Sequence, residues 1–359
     1  MYRKRVAVAM SGGVDSSVAA ALLKKANYEV IGVHMQLWSD RNSPPSDLKQ
    51  TCQLLDIPLY NLDFRADFQN LVIDYFCRGY SLGYTPNPCT TCNQNIKFGL
   101  LLDRVIDMGA DYLATGHYAE VECLPGGYRL LKGADLTKDQ SYFLYTLGQR
   151  ELQYLLLPLA AYRKVEVRRL AAEMGLPVSD KHSSRDICFI PDGDYRSFIT
   201  KHIPSKPGDI VDTTGEVLGK HNGLVGYTLG QRHRLGIASN ERRYVLRLDT
   251  TDNRLVVGSK GQLLSSTLLA SKLNWVSGEA PKEPITVTAK IRYRSPDVVA
   301  ELYPNDGVVE VQFHQPQWAV TPGQAIVFYQ GDAVLGGGII ESTMVKLRIG
   351  GDERTRTAE

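Results

Sequence analysis

The loop Ser11–Ser17 (SGGVDSS), between an apolar run and a helix-forming run, most restricts the folds open to this chain. The apolar run Arg5–Met10 predicts a short buried strand, and Ser17–Lys25, rich in Ala and Leu, predicts a helix. The same alternation continues with strands at Glu29–His34 and Asp111–Thr115 and helices at Ile96–Met108 and Arg163–Met174. Strands that alternate with helices indicate right-handed crossovers, so we expect a doubly wound parallel α/β sheet.

After residue 200 the pattern changes to short β-like runs between turn signals, and Pro204–Gly208 marks the change. The runs are Tyr244–Leu248, Leu255–Val257, Ile285–Tyr293, Val308–Phe313, Ala325–Tyr329 and Leu335–Ile340. This pattern is typical of small β-barrels, and a break near Leu263–Ser271 indicates two modules. We therefore expect domains over 1–200, 201–263 and 264–349, with a polar tail over 350–359.

Composition places the chain among ordinary globular proteins. Of 359 residues, 43% are hydrophobic and 22% are charged, which argues against disorder, collagen and a coiled coil. The formal net charge is +2, so a nucleic-acid partner would need a local basic surface. No apolar run reaches the roughly 18 residues of a membrane span, and the N-terminal run is too short for a signal peptide. Six cysteines are too few for a disulfide scaffold, so we expect a cytoplasmic protein. In that compartment, cysteines at a meaningful spacing are expected to bind metal or act in catalysis.

The loop Ser11–Ser17 has the composition of a phosphate-binding loop. Its two glycines let the backbone approach a ligand, and the helix start supplies N–H groups and a positive dipole end. Asp15 could hold Mg²⁺ beside the phosphates. The alternative is an ordinary glycine turn with a serine N-cap. The loop lacks the Gly-Lys-Ser/Thr of the Walker motif, so cleavage of a γ-phosphate is not indicated.

A second chemical signal is the proline-stiffened segment Thr85–Gly99, TPNPCTTCNQNIKFG. We predict that Asn93 caps a following helix, which would place Cys92 near a helix N-terminus and favour its thiolate. Cys89 and Cys92 could also form half of a zinc site, but no second pair completes it.

A third signal is Cys188 within the apolar run Ile187–Pro191. Taken alone, Cys188 is predicted to be a small core residue. The other cysteines lie in helix-like or strand-like contexts and are also predicted to be core residues: Cys52, Cys77 and Cys123.

Three basic clusters are candidates for RNA contact. They are Lys164, Arg168 and Arg169 on a helix; Arg232, His233 and Arg234 in a loop; and Lys290, Arg292 and Arg294 on a strand. Alternation along a strand places the last three on one face, which favours phosphate contact over a solvated surface. His117, just beyond a predicted strand end, is either a ligand-binding or a structural residue.

The order of the motifs resembles one family. They are the loop Ser11–Ser17, Asn87–Phe98, Ala114–Tyr118, Lys138–Leu144, Ile187–Phe189 and Tyr227–Arg232. The first resembles the PP-loop of ATP pyrophosphatases, and the set, spanning about residues 5–345, resembles the bacterial tRNA-specific 2-thiouridylases. The resemblance implies a PP-loop domain followed by two small β-barrel modules, in agreement with the pattern above.

The family resemblance implies ATP-dependent 2-thiolation of the wobble uridine of Lys, Glu and Gln tRNAs. ATP with Mg²⁺ adenylates the C2 oxygen, sulfur then arrives from a cysteine persulfide, and AMP and pyrophosphate are released. Implied partners are tRNA and a cysteine desulfurase or sulfur-carrier protein, with the enzyme itself a monomer. There are two alternatives. One is another adenylating PP-loop ligase or amidotransferase, which the cysteine motifs disfavour. The other is a non-catalytic RNA-binding protein, which the intact loop disfavours.

The resemblance also assigns roles to residues. The nucleotide residues would be Ala9, Met10, Ser11, Gly12, Gly13, Val14, Asp15, Ser16, Met35 and Gly116. The tRNA residues would be Asn87, Pro88, Cys89, Lys138, Asp139, Gln140, Arg292 and Tyr293. Cys92 matches the nucleophile and Cys188 the persulfide carrier, and sulfur release would join them in a disulfide.

Two departures from the family pattern matter. Cys89 stands where family members commonly have Asp, and some related PP-loop thiolases hold a [4Fe–4S] cluster on three cysteines. The cluster ligands here would be Cys89, Cys92 and Cys188, so both mechanisms stay open, with the persulfide relay favoured. The segment Trp38–Asp47 is short where many members carry a longer insertion.

Overall fold

The computed structural model describes residues 3–38, 43–178, 187–190, 193–238 and 241–342. The predicted polar tail and part of the shortened segment Trp38–Asp47 lie outside them. The strands are β1 (Arg5–Ala9), β2 (Glu29–Gln36), β3 (Leu59–Asp63), β4 (Tyr112–Ala114), β5 (Ala119–Leu124), β6 (Gly127–Lys132), β7 (Leu155–Leu156), β8 (Gly208–Val211), β9 (Val217–His221), β10 (Tyr244–Asp249), β11 (Arg254–Gly258), β12 (Leu264–Trp275), β13 (Ile285–Lys290), β14 (Val298–Asn305), β15 (Val308–Trp318), β16 (Ala325–Gln330) and β17 (Ala333–Ser342).

Helices cover and link these strands. The α-helices are α1 (Val14–Lys25), α2 (Ser46–Leu54), α3 (Arg65–Phe68), α4 (Asp74–Ser81), α5 (Pro88–Cys92), α6 (Leu101–Asp107), α7 (Gln149–Leu152), α8 (Lys164–Glu173) and α9 (Tyr195–His202). Two π-helical segments, Gln69–Ile73 and Asn93–Leu100, continue α3 into α4 and α5 into α6. Short 3₁₀ turns occupy Ser141–Phe143, Leu224–Gly226 and Lys260–Leu263.

The first sheet is parallel, with strand order β3-β2-β1-β4-β7. From β1, the chain adds β2 and β3 on one side of the sheet, and then β4 and β7 on the other side. This order confirms the doubly wound prediction. The winding direction reverses between β1 and β4. Ligands bind in such sheets at the carboxyl ends of the strands beside this reversal. The loops that follow β1 and β4 are therefore the expected site.

Local sequence explains the first elements. Val6, Ala7 and Val8 are fully buried, as an apolar run with helices on both faces of its sheet should be. Helix α1 begins at Val14, earlier than predicted, because Gly13 in an extended conformation serves as the N-cap. Helix α8 matches its prediction within one residue at each end.

The second sheet has the order β10-β11-β8-β9. Strands β8 and β11 pair in parallel, and the other pairs are antiparallel. Its apolar face buries a small core of Ile210, Leu224, Leu235, Val245, Leu255 and Val257. We call this unit the central module.

The third unit is a closed antiparallel barrel of six strands, because β12 pairs with both β15 and β17. The predicted break at Leu263–Ser271 is wrong over most of its length, since β12 runs through it and the turn at Lys260–Leu263 is the junction. The predicted strand Ile285–Tyr293 ends at Lys290. The prediction that Lys290, Arg292 and Arg294 share one strand face is therefore wrong.

A hairpin of the first unit extends the barrel sheet, which the sequence patterns did not indicate. Strands β5 and β6 form this hairpin, and β6 pairs with β17. The amide of Asn274 donates to the carbonyls of Tyr145 at 2.7 Å and Leu147 at 3.2 Å, and Lys132 forms an ion pair with Asp297. The barrel is thus anchored to the parallel-sheet unit.

Among the described helices, none has the length and apolar character of a membrane span.

Candidate active site

The phosphate loop (Ser11–Ser17) is ordered by its own side chains. The carbonyl of Gly13 accepts hydrogen bonds from the hydroxyls of Ser16 at 3.2 Å and Ser17 at 3.0 Å. Gly12 has φ of 75°, a conformation that glycine adopts without a steric penalty. The first turn of α1 therefore presents backbone N–H groups without helical acceptors at a positive dipole end, which suits a phosphate.

The other predicted nucleotide residues surround this loop. Ala9 and Met10 are buried where β1 ends, and the Met10 N–H donates to the Val33 carbonyl at 2.7 Å. Met35, half-buried, lies further along the neighbouring strand β2. Gly116 follows β4 on the other side of the loop. The topology thus brings together residues that are about 100 positions apart in the sequence.

The carboxylate of Asp15 is already engaged. The ammonium of Lys164 lies 2.6 Å and 2.7 Å from its two oxygens, and the Tyr118 hydroxyl donates to it at 2.7 Å. Lys164, predicted as one of three helical RNA-contact candidates, instead points at the phosphate loop. A Mg²⁺ ion on Asp15 would have to displace this ammonium, or bind while Lys164 turns toward the phosphates.

Gly116 packs directly on the phosphate loop. A β-carbon at this position would lie 2.7 Å from the backbone of both Asp15 and Ser16, so only glycine fits. His117, next along the chain, has its Nδ1 2.7 Å from the Thr115 hydroxyl. Burial first, and then the charge of Lys97, lower the pKa of His117 well below its usual range, so its imidazole is neutral at pH 7.

In the cysteine loop (Thr85–Cys92), the residue that caps the helix is not the one predicted. The Asn87 side chain accepts from the N–H groups of Cys89 at 3.1 Å and Thr90 at 3.4 Å, so Asn87 caps α5. The prediction that Asn93 is the cap is wrong. Asn93 is buried, and its amide donates to the Phe143 carbonyl at 3.0 Å.

Cys92 is consequently the last residue of α5, away from a helix N-terminus. Burial raises the pKa of its thiol to about 12, so the predicted stabilisation of the thiolate is wrong for this state. The surrounding protein likewise raises the pKa of Cys89 to about 11 and raises that of Cys188, although both residues are partly open to solvent. The positive charge of Lys97 lowers the pKa of all three thiols and partly offsets their burial.

Cys188 lies on a short turn, Ile187–Ile190, held down by its neighbour. The Phe189 ring is buried 5.6 Å from Phe68, 5.6 Å from Phe76 and 5.2 Å from Phe198. Cys188 itself is exposed, so the prediction of a core residue from its apolar context is wrong. The surrounding protein nevertheless raises its pKa.

The three thiols lie close enough that their charges would repel one another on ionisation. Cys188 raises the pKa of both Cys89 and Cys92. All six cysteines are free in this structure, and Cys123, predicted to be a core residue, is exposed on β5. Within the described ranges, no three His, Cys, Asp or Glu side chains converge as metal ligands would. The iron–sulfur cluster on Cys89, Cys92 and Cys188 therefore gains no support from these residues and stays a prediction.

The segment Lys138–Gln140, which follows β6 and is predicted to contact tRNA, forms hydrogen bonds mostly within the protein. Asp139 is buried and accepts from the N–H groups of Gly133 and Ser141 at 3.1 Å each. The Gln140 side chain accepts from the Tyr118 N–H at 3.0 Å. Lys138 is the exposed member of the three. Their contact with tRNA stays a prediction.

Arg292 and Tyr293 lie in the turn after β13. The Arg292 guanidinium donates to the Ala319 carbonyl and to the Thr321 hydroxyl, and burial lowers its pKa. The Tyr293 ring lies 4.5 Å from that of Phe143, which follows the Lys138–Gln140 segment. The structure thus brings the two predicted tRNA segments next to each other.

Sequence reasoning missed the barrel residues that position the cysteine loop. The Gln324 amide donates to the Thr85 carbonyl at 2.6 Å, and the Thr85 N–H donates to the Pro322 carbonyl at 2.9 Å. Gly323 packs so closely that a β-carbon there would lie 2.9 Å from Tyr84. The Pro322-Gly323 turn signal was visible in the sequence, but its partner more than 200 residues earlier was not.

Comparison with known proteins agrees with this arrangement. Three family models match in succession: "tRNA methyl transferase HUP domain" over residues 4–192, "tRNA methyl transferase PRC-barrel domain" over 196–259 and "Aminomethyltransferase beta-barrel domain" over 265–340. The tRNA-specific 2-thiouridylase MnmA of Moorella thermoacetica is 49% identical over 353 residues, covering 93% of this chain and 99% of the relative. The chain belongs to the tRNA-specific 2-thiouridylase family.

Another thiouridylase supports the same assignment. That of Halothermothrix orenii is 46% identical over 353 residues, covering 94% of this chain and 99% of the relative. Among solved structures, a predicted subunit of tRNA methyltransferase from Methanocaldococcus jannaschii has a TM-score of 0.31 at 19% identity, covering 47% of this chain and 75% of that one. That likeness is too weak to carry a functional argument.

Proposed function

We propose that this thiouridylase is a tRNA-uridine 2-sulfurtransferase that adenylates the wobble uridine and then transfers sulfur to it. The observation that carries this proposal is the position of Lys97. Its charge acts on Cys89, Cys92 and Cys188 and also on His117, whose neighbour Gly116 packs on the phosphate loop. Lys97 therefore lies near both the sulfur-bearing residues and the residue next to the contact on the phosphate loop, which supports a two-step reaction on one base.

The first step makes the C2 oxygen of uridine a leaving group. This oxygen attacks the α-phosphorus of ATP, and pyrophosphate departs. The phosphate loop holds the phosphates through the first-turn N–H groups of α1, and Lys164 lies close enough to Asp15 to help neutralise the phosphate charge. The neutral imidazole of His117, next to Gly116, can accept or donate one hydrogen bond.

The second step moves sulfur from a persulfide on Cys188. Its terminal sulfur attacks C2, and AMP leaves. The thiolate of Cys92 then attacks the Cys188 sulfur, so that a Cys92–Cys188 disulfide forms and the bond from Cys188 to the transferred sulfur breaks. The two thiols supply the two electrons that convert this sulfur to a thiocarbonyl, and an external dithiol must reduce the disulfide before another turnover.

The exposure of the thiols suits these roles. Cys188 is exposed, as a residue that must receive sulfur from a desulfurase or a carrier protein has to be, whereas Cys92 is buried. Cys89 is also exposed, at the second position of α5, where the resemblance places contact with the target base. The proposal does not require Cys89 as a redox partner.

The tRNA would lie across the parallel-sheet unit and the barrel. Asn87, Pro88, Lys138, Arg292 and Tyr293 are the proposed contacts, and the barrel turn at Gln324 fixes the cysteine loop against them. We propose domain boundaries at 200 and 263, near the junctions between the sheets, and at 349, which lies outside the described residues. A monomeric, cytoplasmic enzyme stays a prediction.

The test measures both half-reactions. Pyrophosphate release from ATP should depend on added tRNA, and mass spectrometry of digested tRNA should find 2-thiouridine only when ATP, cysteine and a desulfurase are present. Cys188→Ser should retain pyrophosphate release but form no thiouridine. Pyrophosphate release that ignores tRNA and follows a small carboxylic acid would instead identify an adenylating ligase.

A further inference from the structure

A cleft of about 700 Å³ opens where α9, the central module and the barrel meet. Ten residues line it, among them Arg196, Arg232, Arg234, Lys260, Tyr244 and Trp318. Four of these ten residues carry a fixed positive charge, three are aromatic and none is acidic. We call it the cation–aromatic cleft. None of its lining residues is a cysteine or belongs to the phosphate loop.

Aromatic rings and cations alternate around this cleft. The Trp318 ring lies 6.1 Å from Tyr244 in an edge-to-face arrangement, and the Lys260 ammonium lies 6.0 Å from the Trp318 ring. The Arg196 guanidinium lies 5.9 Å from the Tyr195 ring, which also lines the cleft. Unpaired nucleotides in RNA are recognised by this combination, because the bases stack on rings and the phosphates pair with cations.

The cations of the cleft have few protein partners. Arg232 lies 3.2 Å from the His233 ring nitrogen, Arg196 donates to the Tyr195 hydroxyl at 3.5 Å, and the charge of Arg234 helps to lower the pKa of Asp194. In the part of the chain that the structure describes, none of its four cations forms an ion pair, whereas exposed arginines elsewhere do, such as Arg129 with Glu122 at 2.6 Å. The indole N–H of Trp318 is buried and has no acceptor among the described residues. A buried donor without an acceptor costs free energy, so both observations favour a bound ligand with anionic and acceptor groups.

The loop that carries the cations is held rigidly against the aromatic wall. Gly230 has φ of 80°, and a β-carbon there would lie 2.8 Å from Ala319 and 3.2 Å from the Trp318 ring. Arg234 adopts φ of 60°, which is uncommon for a residue other than glycine. These constraints direct Arg232 and Arg234, both exposed, outward beside the cleft.

The cleft continues a surface already proposed to meet tRNA. The Arg292 guanidinium lies 5.8 Å from the Trp318 ring, so Trp318 separates the proposed tRNA contact from the cleft. A tRNA strand that contacts Arg292 therefore needs to cross only the Trp318 ring to reach the cleft. This continuity favours RNA over an acidic protein segment.

We propose that the cation–aromatic cleft binds one unstacked nucleotide of the substrate tRNA, separate from the uridine that is thiolated. Arg232 and Arg234 hold its phosphodiester, and its base stacks on the wall formed by Trp318 and Tyr244. The inference rests on the proposed function, because it takes the same tRNA as the ligand. A free nucleotide would offer the same chemistry, so the test includes it.

The first measurement is tRNA affinity as a function of salt. Arg232→Gln and Arg234→Gln, singly and together, are compared with Lys282→Gln, an exposed lysine of the barrel that does not line the cleft. Each cleft variant should lower the log–log salt slope by roughly 0.7, as for one phosphate contact of a single strand. The double variant should bind tRNA about tenfold more weakly at low salt, while Lys282→Gln matches the wild type.

The second measurement reports stacking. In a Trp38→Phe, Trp275→Phe background, Trp318 is the remaining tryptophan of the three in the chain. Its fluorescence should be quenched by unmodified tRNA and not by ATP at concentrations that saturate the phosphate loop. Trp318→Leu, with its melting temperature checked, should weaken tRNA binding about tenfold, within the range for loss of one stacked base.

The outcomes separate the inference from the proposed function. Cleft variants that match Lys282→Gln in affinity and slope, in a protein that binds and thiolates tRNA, overturn the inference alone. A wild-type protein that neither binds tRNA nor forms 2-thiouridine overturns the proposed function. Cleft variants that lose only ATP binding, or only sulfur delivery by the desulfurase, overturn the inference in favour of a free nucleotide or a protein partner.

Discussion

A β-carbon on Gly116 would lie 2.7 Å from the carbonyl carbon of Asp15. The loop after β4 therefore packs against the phosphate loop with no room for a side chain at this position. Gly116→Ala should push the phosphate loop out of position and raise the apparent KM for ATP about tenfold or more, since displacements near 1 Å are that costly in active sites. Gly226→Ala, where a β-carbon meets no atom within 4 Å, is the matched control. Equal KM values in the two variants would show that the close contact is irrelevant to ATP binding.

Asp15→Ala should abolish pyrophosphate release and leave tRNA affinity nearly intact. The carboxylate is the one acidic group of the phosphate loop, and it orders both Lys164 and Tyr118. Asp103→Ala, which also removes the acidic partner of an ion pair, is the control, because Asp103 pairs with the exposed Arg150. The assay compares tRNA-dependent pyrophosphate release and tRNA binding in both variants. Normal pyrophosphate release by Asp15→Ala would refute the assignment.

Lys97→Gln should make the three active-site thiols less reactive at a given pH. Lys97 lowers the pKa of Cys89, Cys92 and Cys188, so its removal raises each pKa and reduces the thiolate fraction. The alkylation rate of each cysteine, followed by mass spectrometry, should shift to higher pH by about one unit or less. Arg104→Gln removes an exposed cation of α6 and should leave the profiles in place. A shift to lower pH would contradict the prediction.

Cys89→Asp tests the departure from the family pattern. In the persulfide relay only Cys92 and Cys188 are essential, so this variant should keep much of its thiolation activity. A cluster on three thiolates should instead lose iron and activity when one ligand is removed. The measurements are iron content and visible absorbance of anaerobically purified protein, with thiolation in the presence of a desulfurase and cysteine. A brown wild-type protein whose iron and activity both fall in the variant would rule out the relay.

Arg292→Ala should weaken both the fold and tRNA binding. The side chain donates to Ala319 and Thr321, so its loss should lower the free energy of unfolding by about 2 kcal/mol. Loss of one phosphate contact should lower the salt slope by about 0.9 for a duplex-like site. Arg292→Lys keeps the charge and loses the forked hydrogen bonds, so it should lose stability yet keep most of the slope. An unchanged slope in Arg292→Ala would leave this arginine a purely structural role.

Elements whose signals are local were predictable. The apolar run of β1 and the periodicity of α8 lie in single short stretches, and both were placed within one residue at each end. Strand β12 was missed because its sequence, LSSTLLASKLNW, mixes polar and apolar residues without a clean alternation. It is held as a strand by pairing on both sides, with β15 and β17.

The sequence predicted which residues belong to the candidate site better than it predicted how they are arranged. Both Asn87 and Asn93 have the chemistry of an N-cap, and Pro88 at the first helical position decides for Asn87 in the fold. That choice moves Cys92 to the end of α5 and into the interior, which reverses the expected direction of its pKa shift. Cys188 shows the opposite case, because Phe189 takes the buried position and leaves the thiol exposed.

The sequence by itself determined the phosphate loop, the two cysteine motifs and the succession of an α/β unit and β-rich modules, because each is written in residues close together in the chain. Only the tertiary structure decided that Lys164 pairs with Asp15, 149 positions away, and that Gln324 holds Thr85, 239 positions away. Charge and hydrogen-bonding capacity are properties of single residues. Which partner satisfies them depends on how the strands are ordered and how the barrel packs on the parallel sheet.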